Sequence, residues 1–83
     1  MAINYALLRS LTARELISAL NRDGFVLDRQ TGSHQHYWRA DGRRVTVTFD
    51  SAGQTFPFKT LKSIGELQAR WTEADLKRLK LLK

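Results

Sequence analysis

Leu16, Ile17 and Leu20 fall on one face of a 3.6-residue period, the stripe that an amphipathic helix turns toward a core. Thr12 is placed to cap that helix, and Glu15, three residues on, completes a capping box. Leu11 before the cap and Leu16 after it suit a hydrophobic staple, and Asp23-Gly24 closes the helix, since glycine accepts the left-handed conformation found there. The period then shortens to two. FVLDRQ (25–30) predicts a strand with Phe25 and Leu27 on one face, HQHYWR (34–39) an aromatic-rich second strand, and RVTVTF (44–49) a cleanly alternating third. Thr31-Gly32-Ser33 turns the chain between the first pair. Ala40-Asp41-Gly42-Arg43 turns it between the second pair, where Asp-Gly is a strong hairpin signal. Two registers are open here. A two-residue turn at Asp41-Gly42 sets Trp38 opposite Val45 and His36 opposite Val47, whereas a one-residue slip sets Tyr37 there and flips both histidines.

Residues 50–58, DSAGQTFPF, predict a loop. Pro57 precedes a second helix from about Thr60 to Arg70, with Leu61, Ile64 and Leu67 as its buried stripe. Gly65, mid-helix, either weakens it or permits a close approach. A short third helix begins at Thr72, with Asp75 in the capping-box position, Trp71 placed to staple Leu76, and Leu76, Leu79 and Leu82 at helical spacing. The order α-β-β-β-α, with a short extra C-terminal helix, predicts an α+β fold: a three-stranded antiparallel sheet packed on helices. That topology resembles the double-stranded-RNA-binding fold.

At 83 residues and 42% hydrophobic, the chain is expected to form a single domain, 1–83, with one core. It contains no cysteine, which excludes disulfides, zinc thiolates and cysteine nucleophiles. No apolar run approaches membrane-spanning length, and MAINYALLRSLTARE lacks the basic-then-apolar pattern of a secretory leader. A cytoplasmic protein with no membrane partner is the expectation. The net charge of +6 is uneven. Residues 29–62 carry Arg29, Arg39, Arg43, Arg44, Lys59 and Lys62 against Asp41 and Asp50, whereas residues 1–28 are balanced. A basic half suits a polyanion such as RNA, or is simply a solvated surface.

Both histidines of the chain, His34 and His36, lie in that half, just after Gly32-Ser33. RNA cleavage without a metal needs a base for the 2′-hydroxyl proton, an acid for the leaving oxygen, and cations for the charge that builds on phosphorus. Imidazole titrates near neutrality and suits the proton transfers, while Arg29, Arg39 or Lys59 would supply charge if the fold brings them close. Gly32 either allows a special backbone conformation or close substrate approach, or is an ordinary turn glycine. Ser33 either donates to phosphate or caps the turn. His36 shares a strand face with His34, roughly 6–7 Å away, and is either a second proton-transfer group or sheet filler beside Trp38. Lys59 and Lys62 bracket the start of the second helix, where anions are favoured. Arg43 and Arg44 flank the hairpin and could reach phosphate; Tyr37 and Trp38 could stack on bases or fill the core. Two histidines with no obvious third ligand beyond Asp50, whose neighbourhood the sequence does not establish, make a thin metal site.

DGF at 23–25, GSH at 32–34, DGRRVTV at 41–47 and TLKSI at 60–64 stand in the order and spacing of the HicA toxins of bacterial toxin–antitoxin systems. The resemblance covers roughly residues 12–82, with 1–11 as an N-terminal extension. It implies a ribosome-independent, metal-independent endoribonuclease that cleaves mRNA with no cofactor, is held off by a HicB-like antitoxin, and uses the histidine of GSH, here His34, as its catalytic residue. Gly32, Ser33, Arg29, Arg39, Arg43, Arg44, Lys59 and Lys62 are the expected RNA-binding residues. The chain departs from the family pattern at Thr48-Phe49-Asp50, where Val-Pro and a polar residue are usual, and at Gln35, where a second histidine is frequent. A non-catalytic RNA-binding module of the same fold is the alternative.

Overall fold

The computed structural model describes residues 5–8 and 10–81. A single 3-10 turn, Tyr5–Leu8, leads to helix α1, Ala13–Arg22. Three antiparallel strands follow, β1 Val26–Thr31, β2 His34–Trp38 and β3 Arg44–Thr48, in spatial order β1-β2-β3. Helix α2, Phe58–Lys62, runs directly into a π-helical segment, Ser63–Gln68, and α3 spans Glu73–Arg78. The expected α+β order, α-β-β-β-α with a short C-terminal helix, is the order observed.

Local chemistry explains most of the boundaries. Thr12 and Glu15 form the reciprocal capping box of α1. Gly24, at φ +90, ends α1: its N–H reaches Asn21 O, the Phe25 N–H reaches Leu20 O, and Phe25 packs buried at the cap. Thr72 and Asp75 repeat the box at α3. The α3 end repeats the α1 end with Lys80 in place of glycine, at φ +61, while Lys80 N–H and Leu81 N–H bond Lys77 O and Leu76 O. Leu82, expected in the α3 stripe, lies outside the described residues.

Three expectations are corrected. Leu67 is not in the buried stripe of the second helix but 74% exposed. The helix begins at Phe58 and loosens after Lys62: the Ala69 N–H bonds Ile64 O, five residues back. That wider turn rotates later side chains, so Ile64, Gly65 and Ala69 face inward and Leu67 outward. Leu27 does not share the burial of Phe25, because β1 is an edge strand whose six residues are all exposed. The hairpin after β2 has a three-residue loop: Arg39 N–H bonds Arg43 O, and Gly42 sits at φ +94. This selects the slipped register, with Tyr37 opposite Val45, His36 opposite Thr46 and His34 opposite Thr48.

The core is one cluster on one face of the sheet. Tyr37, Val45 and Val47 meet Leu16, Ala19 and Leu20 of α1, and Leu61, Ile64, Trp71 and Leu76 of the C-terminal elements. Tyr5, Leu8 and Leu11 join it from the N-terminal extension. The π-helical segment also covers the free edge of β3, where Gln68 Oε1 accepts the Thr46 N–H at 2.8 Å.

Candidate functional site

Because Tyr37 turns inward, the alternate residues of β2, namely His34, His36 and Trp38, turn outward together. Pairing lines up the same face of the neighbours: Val26, Arg29 and Thr31 from β1, and Arg44, Thr46 and Thr48 from β3. No helix among the described residues covers this face, and all nine side chains are exposed or half-buried. A β-bulge between Leu27 and Arg29 sets both Asp28 and Arg29 against His36. The bulge thereby puts Arg29 on the histidine face, where an unbroken ladder would hold Asp28 alone.

His34 is exposed at the first position of β2, directly after a two-residue turn. Gly32 has φ +59 and Ser33 does not share that sign, the pattern of a type II′ turn with glycine first. A Cβ at Gly32 would meet nothing within 4 Å, so conformation rather than crowding calls for glycine. Ser33 O accepts the Phe49 N–H at 3.2 Å, which ties the turn to the end of β3. The departure at Phe49-Asp50 therefore abuts the GSH turn: both residues, with Gly32, Ser33, Gln30 and Gln35, border a depression of about 320 Å³.

His36 is half-buried, and its Nδ1 shares a 3.1 Å hydrogen bond with the Thr46 hydroxyl. Around it a second depression of about 330 Å³ is bordered by Asp28, Arg29, Arg44 and Thr46. The Tyr37 hydroxyl donates to Gln35 Oε1 at 2.7 Å, and burial pushes its phenol above the ordinary range. It is a fixed neutral donor on the core side, away from the histidines.

Apart from Gly32 and Ser33 in the turn, the expected RNA-binding residues divide into three groups. Arg29 and Arg44 stand on the histidine face and make no ion pair among the described residues. Arg39 and Arg43 lie beyond the other end of β2. Arg39 pairs with Asp41 at 2.9 Å, and Arg43 binds Asp41 at 2.8 Å, donates to Ala69 O at 2.6 Å and covers the Phe25 ring at 5.7 Å. The Arg43 guanidinium ties the hairpin to Ala69, just after the π-helical segment, while Arg39 lies between Asp41 and Asp23. Lys59 and Lys62 are exposed on α2, which packs on the Tyr5–Leu8 turn rather than lying on the outer sheet face. Sequence reasoning missed Asp28, Thr46 and Thr48 as members of the histidine face. A three-residue loop ending in glycine was the signal for that register; the bulge had none. Among the described residues no three His, Cys, Asp or Glu side chains gather in a metal-binding group, and no helix is long and apolar enough to cross a membrane.

A family model described as "HicA toxin of bacterial toxin-antitoxin" matches residues 13–77, a span from the start of α1 to near the end of α3 that includes the whole sheet. No curated protein matches the chain significantly.

Proposed function

The chain belongs to the HicA toxin family of bacterial toxin–antitoxin systems, and from that we propose that it is a toxin acting as a ribosome-independent, metal-independent endoribonuclease on mRNA in the cytoplasm. His34 is its general acid or base. The observation that carries this reading is the family match across a GSH turn whose histidine is exposed on an uncovered sheet face.

The chemistry asks for a proton-transfer group that can touch a phosphodiester, with cations near enough to offset charge in the transition state. The His34 ring has no hydrogen bond or ion pair among the described residues and is available to substrate. Arg29, two residues along β1 from the Thr31 that pairs with His34, and Arg44 supply positive charge on the same face. His36, bound to Thr46, lines the path between them. A HicB-like antitoxin that silences such an enzyme would lie over this face and bury His34.

The test is cleavage of RNA by the purified protein and by His34→Ala, with EDTA throughout. Wild-type cleavage that falls at least about a hundredfold in the variant, with fold and RNA binding retained, is the expected result. Equal cleavage by both proteins refutes the role of His34. Binding without cleavage by either protein transfers the chain to the alternative, a non-catalytic RNA-binding module.

A further inference from the structure

Trp38 has an unusual position for the largest side chain. It is 39% exposed on the open face of the sheet, whereas Trp71 is 4% exposed in the core. Its cross-strand neighbours are Val26, itself 55% exposed, and Arg44. The next row along the strands holds Arg29 and Asp28, His36 and Thr46; the last holds Thr31, His34 and Thr48. An aromatic plane, two arginines and the histidine thus share one continuous surface.

We propose that this face is a platform for single-stranded RNA, on which Trp38 stacks an unpaired base and Arg29 and Arg44 hold the flanking phosphates. The proposal rests on the ribonuclease reading of His34 and names the form of its substrate. Stacking on a tryptophan needs a base with a free π face, which a duplex does not offer. The charge of the chain, +6, and the two arginines left without carboxylate partners among the described residues complement a polyanion better than they do an average protein surface. Trp38 is then a specificity-determining residue. His34 sits two outward positions away on the same strand, so the stacked base fixes which phosphate the imidazole meets.

The experiment is a fluorescence titration with a 2′-O-methyl oligonucleotide, which lacks the attacking hydroxyl and survives. Trp38 is the exposed fluorophore and Trp71 the buried internal reference. Saturable quenching by the single strand is expected, with little by a duplex of the same sequence. For the variants, which lack that fluorophore, binding is read from the anisotropy of the same oligonucleotide carrying a 5′-fluorescein: Trp38→Ala should weaken it by about tenfold or more and Trp38→Phe by much less, with Trp71 emission unchanged as the sign of an intact fold. Undiminished affinity of a folded Trp38→Ala overturns the platform, as does preferential quenching by duplex. Absence of quenching by either nucleic acid also overturns it and gives the face to a protein partner. Cleavage is scored separately. Quenching without any cleavage upholds the platform and sinks the ribonuclease reading; cleavage at unchanged sites and affinity in Trp38→Ala does the reverse.

Discussion

At the scale of single residues, the tightest constraint is a pair from opposite ends of the chain. A Cβ added at Gly65 would lie 2.8 Å from Cε1 of Tyr5 and 3.0 Å from its hydroxyl. Alanine there would gain up to about 1 kcal/mol of helix propensity, but the Tyr5 ring is 1% exposed and has little room to retreat. Overpacking of this kind costs about 1–3 kcal/mol, so Gly65→Ala is expected to unfold at lower urea than wild type; a rise in midpoint would refute the contact. The Tyr5 hydroxyl has no hydrogen-bond partner among the described residues, and burial, with a smaller contribution from the charge of Glu66, pushes its phenol upward. An unsatisfied buried hydroxyl favours its own removal. Tyr5→Phe should therefore be at least as stable as wild type, and should relieve part of the Gly65→Ala defect because the hydroxyl is one of the two closest atoms.

At the scale of elements, the parts legible in the sequence were those governed by neighbouring residues. Both capping boxes, the glycine stop of α1 and the three strands depend on groups within four or five positions, and Thr12, Glu15, Gly24, Thr72 and Asp75 announce them. What was not legible depends on contacts across the molecule. The π-helical turn that exposes Leu67 is set by packing of Gly65 on Tyr5 and by Gln68 reaching β3. The inward role of Tyr5 and Leu8 leaves no periodic trace in so short a segment, whereas the burial of Leu11 follows from its place before the Thr12 cap. For the site, the Gly-Ser-His turn was visible at once, but its outward face rested on one residue of register that local propensity left open. The α3 cap carries a prediction of its own. Asp75 accepts from the Thr72 backbone N–H and from Arg78, the first contact being the larger cause, and its carboxyl is held below its ordinary 3.8. A depressed carboxylate adds stability that is present above about pH 3.8 and lost as pH falls through the folded-state value. The stability gap between wild type and Asp75→Asn, read by urea unfolding, should thus be widest near neutrality and close in acid. A gap that stays constant down to about pH 2 would show that the charge of Asp75 contributes nothing.

At the scale of the whole molecule, the outward face of the sheet and the contacts beyond the C-terminal end of β2 have separate duties. Beyond the C-terminal end of β2, Asp23, the one charged residue in the described core, accepts from Trp71 Nε1 at 2.8 Å and Arg78 at 2.7 Å, with Arg39 4.0 Å away. Arg39 and Arg43 then share Asp41, and Arg43 continues to Ala69 O. This chain of contacts joins the end of α1, the β2–β3 hairpin, the π-helical segment and α3. The outward side chains of the sheet, from His34 at one end to Trp38 and Arg44 at the other, make none of these contacts. Disrupting the hub should therefore lower stability without changing what the sheet face can do. Asp23→Ala leaves the buried indole N–H of Trp71 without an acceptor, a loss of about 1–3 kcal/mol. Arg78 and Arg39 are 53% and 32% exposed and regain water, which keeps the cost from the upper range for broken buried pairs. Asp23→Asn retains an acceptor and should lose less. Urea unfolding followed by Trp71 emission measures both, and RNA affinity at low denaturant measures the face. If Asp23→Ala weakens RNA binding while the protein is still fully folded, the division between a structural hub and a functional face is wrong. If binding holds until unfolding begins, the histidine face is a surface carried by this scaffold and energetically separate from the hub that secures it.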